Sequence, residues 1–144
     1  MDLRSAADRY VAVMQSISPQ TLSRLAEVCA PDILFKDPFN EGRGLDYVIR
    51  IFEQMYRDIG ETKTVIDDVA FSDTACYLRW TLSFRRKNGR EATVLGMSEV
   101  HFGADGRAIR HFDHWDAASQ VYELVPVLGA VLRRIKRRLA TPLQ

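Results

Sequence analysis

Cys76, Leu78, Trp80, Leu82 and Phe84 alternate with Tyr77, Arg79, Thr81 and Ser83. A period of two over nine residues specifies an extended strand with one apolar face and one mixed polar face. Asn88-Gly89 follows, a dipeptide that accepts the positive φ angles of a tight hairpin. The chain from about Glu91 to Phe102 is then the returning strand. Ala104-Asp105-Gly106 marks the next turn, and Ile109 to Trp115 returns again. Val65 to Phe71 supplies a fourth strand upstream. Strands joined in hairpin succession are antiparallel. A fold that accepts this segment must cover one whole face of a sheet.

The cover is upstream. Leu3, Ala7, Tyr10 and Met14 recur at helical spacing. Ser18-Pro19 reads as the N-cap and first residue of a second helix with the stripe Leu22, Leu25, Ala26 and Cys29, ended by Pro31-Asp32. Ile33-Leu34-Phe35 is a short strand stopped by Asp37-Pro38, and Asn40 to Gly44 is a loop. Leu45, Val48, Ile49, Phe52, Met55 and Tyr56 mark a third helix. Downstream, Asp116 caps a last helix that Pro126 interrupts and that resumes from Val127 to Leu139. The expected class is α+β: a cone-shaped, curved, antiparallel or mixed sheet wrapped by three N-terminal helices, plus a C-terminal basic helix. The mouth of such a cone can hold a ligand.

The 144 residues make one domain, with 1–124 as its body and 125–144 as an amphipathic basic helix of the same domain. The net charge of +1 gives no electrostatic footprint for nucleic acid. No apolar run reaches the about 18 residues that span a bilayer. The N-terminus lacks the apolar core of a signal peptide. Cys29 and Cys76 stand far apart in no metal-type spacing, and they read as buried hydrophobes in a reducing, cytoplasmic setting. No metal-ligand cluster or phosphate loop points to a cofactor.

Four words carry a resemblance: Arg9-Tyr10-Val11-Ala12, Phe35-Lys36-Asp37-Pro38, Gly42-Arg43-Gly44, and Gly106 through Trp115 with its ending His111-Phe112-Asp113-His114-Trp115-Asp116. Together with the element order, they resemble the nuclear transport factor 2-like superfamily, which includes ketosteroid isomerases and SnoaL-like polyketide cyclases. The resemblance runs from about Ala6 to Tyr122. It implies Tyr10 as a hydrogen-bond donor to a substrate oxygen and Asp37 as general base. The isomerases add a second carboxylic acid kept neutral in an apolar site. This chain has Ser98 there, a weaker donor, so steroid isomerisation itself is not expected. The resemblance also implies that Trp115 faces the pocket, which puts Asp113 and His111 on the same face by period two.

Each candidate also has an ordinary reading. Asp37 is an Asx-turn cap or a general base whose pKa must be raised by Phe35, Trp80 and Leu82. Tyr10 is a core tyrosine or an oxyanion donor. Asp113 and His111 are surface groups beside a turn or a pair that relays a proton. Ile109, His111, Asp113 and Trp115 share one face and Arg110, Phe112, His114 and Asp116 the other, and neither face is purely apolar. Phe52, Leu78, Trp80, Leu82, Phe84 and Trp115 are core that doubles as the lining for an apolar ring-containing ligand.

Two functions follow. One is a cofactor-independent isomerase or cyclase that abstracts a proton next to a carbonyl: Asp37 takes the proton, Tyr10 and Ser98 hold the enolate oxygen, and Asp113 relays. It requires Tyr10 and Asp37 to face one cavity. The other is a non-catalytic carrier or interaction module. The mixed outer row Tyr77, Arg79, Thr81 and Ser83 suits a sheet-to-sheet homodimer. Arg133-Arg134-Ile135-Lys136-Arg137-Arg138 holds five of the twenty basic residues, and the rest of the chain is left with a net charge of −4. With Leu128, Val131, Leu132, Ile135 and Leu139 on one stripe, this helix docks on the domain, covers the pocket mouth, or touches an anionic membrane or an acidic partner.

Overall fold

The computed structural model describes residues 2–125 and 127–141. Helix α1 is Leu3–Ser16, opened by Asp2, whose carboxylate accepts from the backbone N–H groups of Arg4 and Ser5. These bonds, with one from the Ser5 hydroxyl, hold the Asp2 carboxyl below its usual range. The helix buries Ala6, Ala7, Tyr10 and Val13. The buried row is thus turned slightly from the expected stripe, and Met14 faces a cavity.

The second helix is shorter than expected. Ser18 C=O accepts from Thr21 N–H, so Pro19 occupies the second position of a turn. A single 3-10 turn at Leu22–Arg24 leads into α2, only Leu25–Val28. Strand β1 then begins at Cys29 and runs Cys29–Lys36, with Pro31 inside it. Proline is tolerated there because β1 changes register against its neighbour between Cys29 and Leu34, where no ladder donor is demanded. Part of the expected loop is a strand, β2 Glu41–Arg43. Helix α3 is Leu45–Ile59.

Strands β3 Thr62–Phe71, β4 Ala75–Arg85, β5 Glu91–Phe102 and β6 Ala108–His114 follow in antiparallel succession. The turn at Asn88-Gly89 places Gly89 at φ 80° but not Asn88 at positive φ, and Gly89 N–H donates to Arg86 C=O, so the hairpin closes through a longer loop than a two-residue Asn-Gly turn. The sheet order is β2-β1-β6-β5-β4-β3, and β1 with β6 is its parallel pair. The fold is therefore α+β with a mixed, open, curled sheet. The inner face is sealed by Ala7, Tyr10 and Val13 of α1, Leu25 and Val28 of α2, and Val48 of α3. They pack against Cys29, Ile33, Phe35, Cys76, Leu78, Val100 and Ala108. Full burial of a side chain the size of Leu25 or Ile33 stabilises by about 2 kcal/mol.

Strand β6 departs from simple alternation. His101 pairs with Arg110 but Phe102 with Ala108, so Ile109 is a bulge residue. Ile109 is therefore exposed and Ala108 takes the inward position. Beyond the bulge, His111, Asp113 and Trp115 point inward.

After β6, the Asp116 carboxylate caps α4, Ala117–Gln120, by accepting from Ser119 N–H. Gln120 then extends the sheet with its side chain. Its amide accepts from Leu95 N–H and donates to Leu95 C=O, at 2.7 and 3.0 Å, past the last paired residue of β6. A 3-10 turn at Tyr122–Leu124 precedes α5, Leu128–Leu139. The interruption expected at Pro126 lies outside the described residues. No helix among the described residues is long and apolar enough to cross a membrane.

Candidate functional site

The ladders that build the sheet also build the site. On the inner face, Phe35, His111, Val100 and Cys76 stand side by side across β1, β6, β5 and β4. One step along, Asp113, Ser98 and Leu78 form the next row. Beyond it, Gly96 lies opposite Trp80. A Cβ at Gly96 would overlap the Trp80 ring, so only glycine lets the indole lie flat across β5.

That indole begins a continuous hydrogen-bonded chain. Trp80 Nε1–H donates to Ser98 Oγ at 2.8 Å, and the Ser98 hydroxyl donates to Asp113 Oδ1 at 2.5 Å. His111 Nε2 lies 2.7 Å from the same Oδ1, and His111 Nδ1 lies 2.6 Å from the Tyr10 hydroxyl. Donor counting gives one consistent set of directions. Burial above all, then Cys29, Asp113 and Cys76 nearby, pushes the Tyr10 pKa well above its ordinary value, so its O–H persists. Among the described residues Tyr10 has no other hydrogen-bond partner, so it donates to Nδ1. In that arrangement the imidazole carries a proton on Nε2 and donates to Asp113. Stacking on Phe35, at 5.2 Å between centroids and 12° between planes, holds the ring.

Oδ1 of Asp113 is thus saturated by two donors. Oδ2 accepts no hydrogen bond from the described residues, and it is not sealed from solvent. Asp113, 18 % exposed, lines a cavity of about 560 Å³. Phe52, Leu78, Trp80, Leu82, Phe84 and Trp115 all line it, and so do Ser98 and His111. The rest of the wall includes Met14, Phe39, Ile51, Met55, Ile66, Val94 and Val121. Asp37, Asp58 and Asp113 contribute carboxylates, and among the described lining residues there is no Lys or Arg.

The expected Tyr10–Asp37 pair across one cavity is not what forms. Tyr10, 2 % exposed, is behind His111 and does not line the cavity. Its hydroxyl is committed to Nδ1, so it reaches the cavity only through the imidazole and cannot itself receive a ligand oxygen. Asp37 does line the cavity, at the rim beside exposed Phe39. Its Oδ1 accepts from Phe39 N–H at 2.7 Å and Asn40 N–H at 2.6 Å, and the Asn40 amide bonds both its oxygens. That is an Asx turn, the ordinary alternative for an Asp-Pro pair. Ser98 is likewise occupied as a bridge between Trp80 and Asp113. The residues brought together around a free carboxylate oxygen are Asp113, His111 and Ser98.

Sequence reasoning missed Gly96, whose role depends on register, and Asp58 with Gln54, which line the cavity from α3 and hydrogen-bond each other at 2.8 Å. Their spacing from Ile51 and Met55 on one helix was the available signal. Among the described residues, no three His, Cys, Asp or Glu side chains group as metal ligands.

No curated protein matches the sequence. Among solved structures, a nuclear transport factor 2-like protein of unknown function from Burkholderia pseudomallei aligns with a TM-score of 0.70 at 21 % identity, over 84 % of this chain and 96 % of that one. AclR, a candidate hydroxylase from Streptomyces galilaeus, gives 0.67 at 18 % identity over 95 % and 90 %. A candidate SnoaL-like polyketide cyclase from Shewanella putrefaciens gives 0.66 at 13 % identity over 81 % and 85 %. At these identities the likeness is one of fold. The family model for the SnoaL-like domain matches residues 7–111, most of the chain. The curled mixed sheet, its helical cover and that match make the chain a member of the SnoaL-like domain family, within the nuclear transport factor 2-like superfamily.

Proposed function

We propose that the cavity binds an apolar, ring-containing carbonyl compound and that Asp113 Oδ2 removes a proton from the carbon next to the carbonyl. The observation that carries this reading is the asymmetry of Asp113, with Oδ1 fixed by Ser98 and His111 and Oδ2 left towards an apolar chamber. A carboxylate aimed by two donors is preorganised for proton transfer. In the step, the C–H bond breaks, the proton goes to Oδ2, and the electron pair moves into the carbonyl to give an enolate. Return of the proton to another carbon completes an isomerisation. Attack of the enolate carbon on a second carbonyl, with the proton delivered to the new alkoxide, completes an aldol cyclisation.

The wall chemistry narrows the substrate class. With carboxylates and no Lys or Arg among the described lining residues, an anionic ligand meets repulsion. Tyr10, Ser98, His111 and Trp80 all spend their donors within the network, so an enolate oxygen finds no dedicated oxyanion hole there. The network thus leaves the enolate charge to be carried largely by the substrate, which suits a compound with a second carbonyl or an aromatic ring on the same carbon. Polyketide-like aromatic ketones have that property, in keeping with a relative named as a candidate polyketide cyclase.

β-Tetralone in deuterated water tests the reading without knowledge of the natural substrate. Wild-type protein is expected to accelerate deuterium uptake at the carbon between ring and carbonyl, and Asp113→Asn is expected to lose the acceleration. Equal exchange in the variant would remove Asp113 from the chemistry. A carrier is the second reading, favoured by the internal satisfaction of the whole Trp80-to-Tyr10 chain. It calls for β-tetralone binding without accelerated exchange.

We further propose a homodimer through the outer sheet face, where Leu95 and Met97 of β5 are exposed beside the row from Tyr77 to Ser83. Light scattering of the wild type and Leu95→Glu checks it; a wild type that is monomeric at high concentration rules it out. The free buried thiols Cys29 and Cys76 fit a reducing, cytoplasmic location.

A further inference from the structure

Helix α5 is held to the domain by its polar side and leaves its apolar stripe uncovered. Gly129 packs on the Glu123 carbonyl, Arg133 donates to that carbonyl, and Lys136 bonds the Glu123 carboxylate and the Ser119 hydroxyl. On the open side, Leu128, Val131, Ile135 and Leu139 follow one another at helical spacing, and they are 43, 49, 47 and 81 % exposed. Arg134, Arg137 and Arg138 flank the stripe, exposed and without an ion pair among the described residues. The helix contains no acidic residue. Its polar contacts explain how it docks, but they do not explain why a 12-residue segment keeps four large apolar side chains in water.

We propose that α5 is an interfacial helix that seats on an anionic lipid surface. The stripe enters the boundary between headgroups and acyl chains, and the three free arginines meet lipid phosphates. Charge distribution favours this occupant. Outside residues 133–138 the chain carries a net charge of −4, so an anionic surface repels the body and attracts α5, which orients the molecule. A bilayer also satisfies the stripe and its cationic flank together, whereas an acidic polypeptide answers the arginines alone. The apolar surface continues towards the cavity. Val125 and Tyr122 are exposed, the Tyr122 ring lies 5.9 Å from that of Phe39, and Phe39 packs edge-on against Trp115 at 5.4 Å. Seating α5 thus brings the cavity rim near the lipid, where an apolar ligand is concentrated. This attachment requires nothing of the chemistry at Asp113.

Flotation of the full chain with phosphatidylcholine vesicles, with and without phosphatidylglycerol, tests the proposal. Binding is expected only with phosphatidylglycerol, falling as salt rises. Val131→Glu/Ile135→Glu should abolish it. Arg134→Gln/Arg137→Gln/Arg138→Gln should weaken it by about a hundredfold, at about fivefold per arginine. Circular dichroism melts check that both variants keep the wild-type fold. Failure to float with phosphatidylglycerol overturns the proposal, and so does flotation that neither variant reduces. A dimer that Val131→Glu/Ile135→Glu dissociates, without flotation, assigns the stripe to a second copy of the chain. Binding to polyglutamate with the same affinity in the wild type and Val131→Glu/Ile135→Glu, without flotation, assigns the arginines to an acidic partner.

Discussion

The Tyr10 hydroxyl stands 2.6 Å from Nδ1 of His111, and through that imidazole it determines how Asp113 is held. Helix α1 and strand β6 meet at this bond, about a hundred residues apart in sequence. Tyr10 is therefore a positioning residue: it selects the His111 tautomer that can donate to the carboxylate. Tyr10→Phe should cost about 1–3 kcal/mol, because it leaves Nδ1 buried without a donor. Nitrogen NMR should show the loss of a pure Nε2–H imidazole, a change that loss of packing alone does not produce.

Asp113→Asn separates chemistry from folding. The amide oxygen can keep the two bonds at the Oδ1 position, while its NH2 replaces the basic oxygen. Stability should change by about 1 kcal/mol or less. Proton exchange from β-tetralone should fall by about a hundredfold or more. Thermal melts and deuterium uptake measure the two effects on the same samples.

Asp37→Ala should show the opposite pattern. It removes the acceptor for Phe39 and Asn40 N–H, so the rim loosens and stability falls by about 1 kcal/mol. Exchange should keep most of its rate. A hundredfold loss of exchange in this variant, with the melt unchanged, would reinstate Asp37 as the base.

Gly96→Ala drives a methyl group into the Trp80 ring. The indole must leave Ser98, so overpacking of about 1–3 kcal/mol is expected together with shifted tryptophan fluorescence. An unchanged emission spectrum would show that the ring does not rest on Gly96.

Alkaline pH should weaken the fold through its thiols. Burial raises Cys29 from 9.0 to about 12 and Cys76 from 9.0 to about 11. Both pKa values are raised in the folded state, so the stability linked to them is complete below pH 9 and is lost as pH rises towards 11 and 12. Each thiol adds a slope of about 1.4 kcal/mol per pH unit within its window. Tyr10 acts in the same direction above 10.0. Urea melts from pH 8 upward should fall less steeply for Cys29→Ala/Cys76→Ala than for the wild type.

What could be read from the sequence was local and periodic. Alternation in β4 identified the wall from Leu78 to Phe84, and the same period put His111, Asp113 and Trp115 on one face. The bulge at Ile109 could not be read, because it arises only when β6 pairs with β5 on one side and β1 on the other. Ser18-Pro19 satisfies a helix start and a turn equally well, and the Ser18–Thr21 hydrogen bond decides between them. Tyr10 stands out on its helical stripe, but nothing in the sequence marks its partner. A hydroxyl on a helix carries no sequence mark of which side chain a hundred residues away will accept its proton.

The parallel pairing of β1 with β6 also sets an order of assembly. Strands β3 to β6 can zip through short turns. The bond between residues 29–36 and 108–114 instead closes a loop of more than seventy residues, the costly kind of contact that slows folding. Phe35 reaches His111 only at that closure, and the Tyr10 hydroxyl of α1 meets the same imidazole. A chain whose β6 has not yet paired with β1 therefore holds a hairpin array with an open wall and an unaimed carboxylate. The site comes into being at the end of folding, as the seam shuts.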